Sequence, residues 1–167
     1  MNAVFFPDAT VLINIQAINR WDVLAELVKG GAKWVASVQD ECRKWDKQDR
    51  DSATAIFGPA IRPDPAEHIN IRILRNEMAD PAEDHPLKHL GEAETIVIAN
   101  ARFPGARFIT DDRGAYAAAK AQGIQCFGTG DLLVVAERTG LITASERISD
   151  LATLRAANHF PQSYYNS

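Results

Sequence analysis

Short apolar runs, each stopped by a turn or a polar stretch, alternate along the chain with segments that carry apolar residues at helical spacing. Residues 3–6 form the first run and Pro7-Asp8 stops it, which predicts a strand and its exit turn. Val11, Leu12, Ile15 and Ile18 then predict a helix over 10–18, and Leu24, Leu27 and Val28 a second over 21–29, ended by Gly30-Gly31. The run KWVASV at 33–38 predicts another strand, and the charged stretch from Gln39 a solvated helix. After a proline-rich connection at 58–65, Ile69, Ile71 and Ile73 alternate with Asn70 and Arg72 in the period of a strand. Residues 80–90 read as loop. Beyond them come a helix over 91–101, a very short strand at 108–110, an Ala-rich helix over 113–122 closed by Gly123, and a strand at 124–127. Helices over 130–138 and 144–157 follow, the second preceded by Thr143 and Glu146 at capping-box spacing.

Strands separated by helices predict an α/β fold, a three-layer α/β/α sandwich with a central, mostly parallel sheet. The 167 residues fit a single domain over 1–167, with a C-terminal helical extension from about residue 143. No apolar run approaches the roughly 20 residues of a membrane span, and no basic leader opens the chain, so a cytoplasmic protein without membrane contact is expected. Cys42 and Cys126 lack CxxC spacing, which argues for reduced, partly buried thiols and against a disulfide framework or a thiolate metal site. His68, His85, His89 and His159 lack metal-ligand spacing and are assigned no chemistry. A formal net charge of −4 argues against broad attraction to nucleic acid. It leaves room for a nuclease whose acids are neutralised by bound metal.

The acids change the picture most. Asp8 and the Asp111-Asp112 pair follow predicted strands, while Glu41 and Glu94 fall in the first turns of predicted helices. In an open parallel sheet all of these positions lie at the carboxyl edge, where sites form. Converging carboxylates repel one another unless a counter-charge is present, and hard oxygen ligands suit Mg²⁺ or Mn²⁺. Any one of these acids could equally be a helix cap or a dipole partner. Four placements at one edge carry more weight than any single one.

The phrases around these acids resemble the PIN-domain family of metal-dependent ribonucleases, in particular the toxin nucleases of toxin–antitoxin pairs. Asp8-Ala9-Thr10-Val11-Leu12-Ile13 matches the family's opening phrase, Glu41 in SVQDECRKW its second acid, and Thr110-Asp111-Asp112 the segment of its fourth. The third acid lies about 18 residues before the fourth in that family, an interval that Glu94 satisfies and Glu92 exceeds by two. The phrase at 90–94 (LGEAE), with Gly128-Thr129 and later Gly140-Leu141-Ile142, is similar to one PIN-like subgroup. Glu stands where Asp is usual at the third place, and the chain is longer than many toxin members, ending in Tyr164-Tyr165.

The resemblance implies an endoribonuclease that hydrolyses RNA with Mg²⁺ or Mn²⁺ held by Asp8, Glu41, Glu94 and Asp112 as catalytic and metal-binding residues. Thr10, Glu92, Thr110 and Asp111 would support them, and Arg43, Lys44, Lys47 and Arg113 would contact RNA phosphates. It further implies an antitoxin protein as partner and a homodimer; Trp45 and the N-terminal helices are candidates for such a surface, although core packing also explains them. The alternative is a non-catalytic PIN-like binding or protein-interaction module. Aspartyl-phosphate enzymes of the dehalogenase type need Asp-x-Asp where Thr10 stands, and in receiver domains the acidic pair comes far earlier than Asp111-Asp112.

Overall fold

A computed structural model describes residues 3–82 and 85–164. Three short parallel strands, β1 (Phe5–Pro7), β2 (Arg107–Ile109) and β3 (Gln125–Phe127), form a sheet in that order. Phe6 pairs with Phe108 and Phe108 with Cys126, so the strands end level with one another. Backbone bonds continue past those ends, from the Asp8 N–H to the Ile109 carbonyl (2.8 Å) and from the Thr110 N–H to the Phe127 carbonyl (2.9 Å). The residues after β1 and β2 therefore share one edge.

Nine helices complete the described residues: α1 (Ala9–Ala17), α2 (Trp21–Leu27), α3 (Ala36–Glu41), α4 (Lys47–Phe57), α5 (Pro65–Met78), α6 (Leu90–Arg102), α7 (Arg113–Ala121), α8 (Thr129–Arg138) and α9 (Ala144–Ala156), with a 3₁₀ turn at Cys42–Lys44. Together with the parallel sheet they give the expected α/β sandwich. Phe6, Phe108 and Ile109 are fully buried although Phe108 and Ile109 point to opposite faces, so helices cover both sides. None of the described helices is long and apolar enough to cross a membrane. Cys42 and Cys126 are buried free thiols.

Three expectations fail, each for a physical reason. The run at 33–38 is not a strand: Val35 makes only an isolated bridge to Ile61, and the chain turns into α3 at Ala36. Its apolar residues are spent on packing instead, with Trp34 stacked on Phe57 at 5.5 Å and its Nε1 donating to the Gly58 carbonyl. Glu41 consequently ends α3 rather than opening a helix.

The alternating isoleucines lie on a helix, α5. Asp64 accepts from the Glu67 N–H and Glu67 from the Asp64 N–H, both at 2.8 Å, and Pro65 occupies the first helical turn. These start signals outweigh the period-two pattern: Glu67, Ile71 and Arg75 face inward at helical spacing while Ile69 and Ile73 are exposed. Trp45, a candidate surface residue, is half-buried with its ring 5.9 Å from that of Trp21.

After α9 the chain runs back as an extended strap to Tyr164, whose ring stacks on Tyr116 at 4.0 Å. Tyr165, the other half of the tyrosine tail, lies outside the described residues, as do Glu83 and Asp84 of the loop at 80–90.

Candidate active site

Asp8 is only 2% exposed and sits between the end of β1 and α1. One carboxylate oxygen, Oδ2, accepts from the Thr10 hydroxyl at 2.7 Å and the Thr110 hydroxyl at 2.9 Å. Each threonine has a second task. Thr10 Oγ1 accepts the Asp111 N–H at 3.1 Å, and Thr110 Oγ1 accepts the Asp112 N–H at 3.0 Å. The two hydroxyls thus link the ends of β1 and β2 through the Asp8 carboxylate, and they hold Asp112 two hydrogen bonds away from it.

The adjacent aspartates do different things. Asp112 caps α7, accepting from the Ala115 N–H at 2.6 Å. Asp111 Oδ1 accepts from the N–H groups of Thr129 (2.9 Å) and Gln162 (2.8 Å). Its Oδ2 accepts from Asn14 Nδ2 at 2.6 Å and from the Thr129 hydroxyl. With four donors Asp111 is an anchor for α1, α8 and the strap, and burial raises its pKa against the lowering effect of those bonds.

The glutamates of α6 also divide. Glu94 is 4% exposed and accepts from the Ser37 hydroxyl at 2.5 Å and the Ser37 N–H at 3.3 Å, capping the start of α3 from across the fold. Glu92, two positions earlier and therefore on another side of the helix, places its Oε1 3.5 Å from His89 Nδ1. Its charge acts on both Asp8 and Glu41. The Asp8 carboxyl is pushed up to about 7, first by burial and then by Glu92, against the pull of the two threonine hydroxyls. Burial, then Asp8 and Glu92, raise Glu41 to about 7 as well.

Glu41 as a whole is exposed, and its carboxylate leans over α6, where a Cβ on Gly91 would lie 2.6 Å from Oε1. Because Glu41 is exposed, solvent screens its interactions more than those of buried Asp8.

Among the described residues no three His, Cys, Asp or Glu side chains stand close enough together to hold a metal ion as placed. The donor chemistry nevertheless fits one. Asp8, Glu41 and Glu92 offer hard oxygens, and burial together with the neighbouring carboxylate charges raises the proton affinity of Asp8 and Glu41, the condition a divalent cation relieves.

Two cavities flank this edge, and Ile13 of α1, 39% exposed, lines both. One, about 460 Å³, contains Glu41, Lys44, Trp45 and Leu87; the other, about 570 Å³, contains Thr10, Asp112, Arg113 and Phe160. Of the four candidate phosphate contacts, Lys44 and Arg113 therefore line the cavities. Arg43 and Lys47 are exposed and paired with Asp40 and Asp51. A third cavity of about 340 Å³, between α5 and α6, lies away from the acids.

Asn14, Ser37 and Gln162 hold the acids in place and escaped the sequence reading. Asn14 had a visible signal, a polar residue within the inward stripe Val11, Leu12 and Ile15, where it is 4% exposed. Ser37 and Gln162 had none, since their partners are 57 and 51 residues away.

No curated protein matches the chain. The family model of the PIN domain matches residues 4–163, a span that takes in all three strands, the acids at their edge and most of the strap. PIN domains are generally nucleases and typically depend on divalent metal ions. With nearly its whole length matched, the chain belongs to the PIN-domain family.

Proposed function

We propose that this protein is a metal-dependent endoribonuclease that hydrolyses RNA phosphodiesters at the carboxyl edge of its sheet. The observation that carries this reading is the buried Asp8 carboxylate, held by two threonine hydroxyls and raised by burial and then by Glu92, beside a Glu41 raised by burial and then by Asp8 and Glu92. A fold that needed Asp8 only as a helix cap would use its side chain for that bond, and here α1 receives no side-chain cap from it.

Mg²⁺ or Mn²⁺ would be held by Asp8, Glu41, Asp112 and a glutamate of α6. Such an ion supplies Lewis-acid activation of water and neutralises charge on the phosphate. Thr10 and Thr110 fix the Asp8 carboxylate so that its remaining oxygen keeps a constant direction. Lys44 and Arg113, one in each flanking cavity, bind phosphates on either side of the scissile bond.

The spacing to Asp112 favoured Glu94 as the α6 donor, whereas the bonds from Ser37 to Glu94 and the effect of Glu92 on Asp8 support Glu92. We assign Glu92 to the ion and Glu94 to holding α3, which carries Glu41. Calorimetric titration with Mn²⁺ separates the two. Glu92→Gln is expected to weaken binding at least tenfold and Glu94→Gln to weaken it less while lowering stability; the reverse order would return the role to Glu94. Absence of Mn²⁺ binding by the wild type would favour a non-catalytic module.

The likeness to toxin nucleases extends the proposal to a toxin held in check by an antitoxin protein. Induced expression is then expected to arrest growth, and Asp8→Asn to relieve the arrest. A homodimer belongs to the same extension, and sedimentation of the purified chain at twice its monomer mass is the expected result.

A further inference from the structure

The strap that follows α9 forms one wall of the larger cavity beside Asp112, and it is fastened on both sides of a single exposed aromatic ring. Before the ring, the His159 N–H donates to the Leu154 carbonyl at 2.8 Å. After it, the Gln162 N–H donates to Asp111 at 2.8 Å, the Gln162 carbonyl accepts the Gly130 N–H at 2.9 Å, and the Tyr164 N–H donates to Asp131 at 2.7 Å. Gly128 and Gly130 make room for this: a Cβ on either would run into the Gln162 carbonyl. The Gln162 side chain reaches back to the Phe160 carbonyl at 2.8 Å. Phe160 itself is 67% exposed and lines the same cavity as Thr10, Asp112 and Arg113.

We propose that Phe160 is a base-stacking residue of the substrate groove, supplied by the C-terminal strap, and that it binds an unpaired nucleobase next to the scissile phosphate. This rests on the nuclease reading above. Arg113 is the one Lys or Arg among the described residues lining the cavity, and the chain as a whole is acidic, so phosphate contacts alone give RNA a weak hold here. An aromatic face adds affinity that does not depend on charge, and every base offers a π-face to it. A volume of about 570 Å³ falls within the range of about 300–1,000 Å³ usual for ligand clefts. Bases paired in an A-form duplex keep their faces stacked and cannot reach the ring, so single strands are selected.

Binding of a 5′-labelled single-stranded oligoribonucleotide, followed by fluorescence anisotropy in Ca²⁺, tests this. Phe160→Ala is expected to weaken binding on the order of tenfold with its melting temperature unchanged, and Phe160→Tyr to keep wild-type affinity. Duplex RNA of the same sequence is expected to bind both variants and the wild type equally. Equal affinity of Phe160→Ala and wild type for the single strand would overturn the proposal and leave the ring to a protein partner. The two readings fail separately. Cleavage that ignores Phe160 sinks the stacking role alone; Phe160-dependent binding without cleavage in Mn²⁺ sinks the nuclease alone.

Discussion

Two hydroxyl groups decide how Asp8 is presented. Thr10 and Thr110 both donate to its Oδ2 and both accept a backbone N–H from the segment after β2, so neither can turn away without leaving a buried polar group unpaired. Thr110→Val keeps the shape and removes the donor. It is expected to lower metal affinity about 10–100-fold, read by Mn²⁺ titration. The raised pKa values of Asp8 and Glu41 have a consequence for stability. Both groups hold a proton more tightly in the folded state, so the stability they contribute is fully present below their ordinary values of 3.8 and 4.5 and is lost as pH rises through about 7. The metal-free protein is therefore expected to melt at progressively lower temperature between about pH 4 and about pH 7, with Asp8→Asn flattening that slope. A melting temperature that climbs over that interval would contradict the assigned environment.

At the scale of elements, Asp111 binds α1, α8 and the strap into one unit. Asp111→Ala orphans the N–H groups of Thr129 and Gln162, each costing about 1–3 kcal/mol if it stays buried. Lower stability in urea and faster proteolysis near residue 160 are expected together; loss of stability with an unaltered digestion pattern would mean that the strap holds without Asp111. Local signals made most elements legible: Thr143 and Glu146 cap α9 as their spacing requires, and Asp8 and Asp112 open α1 and α7 where the strands stop. Legibility failed where tertiary partners decide. Ser37 starts α3 with Glu94 as its acceptor, 57 residues away, so the run at 33–38 looked like a strand. In α5 the signals were local, and the isoleucine alternation masked the Asp64 capping box. The same distance effect divided the site. That Asp8, Thr10, Thr110 and Asp112 meet at one sheet edge was readable from phrases around strand ends, whereas the separate surroundings of Glu92 and Glu94 depend on what α3 and β1 place opposite α6.

The whole molecule concentrates acids at one sheet edge and leaves cations at its two flanks, Lys44 on one side of Ile13 and Arg113 on the other. An ion that binds only the folded chain stabilises it by mass action, so Mn²⁺ is expected to raise the melting temperature at neutral pH and to lose that effect in Asp8→Asn. The most direct measurement is cleavage of a labelled RNA by the wild type, Asp8→Asn and Asp112→Asn, each with Mn²⁺ and with EDTA. Cleavage by the wild type in Mn²⁺, abolished by EDTA and reduced at least a hundredfold in both variants, is the expected result. Equal cleavage by all three proteins, or cleavage that persists in EDTA, would contradict a carboxylate-held metal as the source of activity.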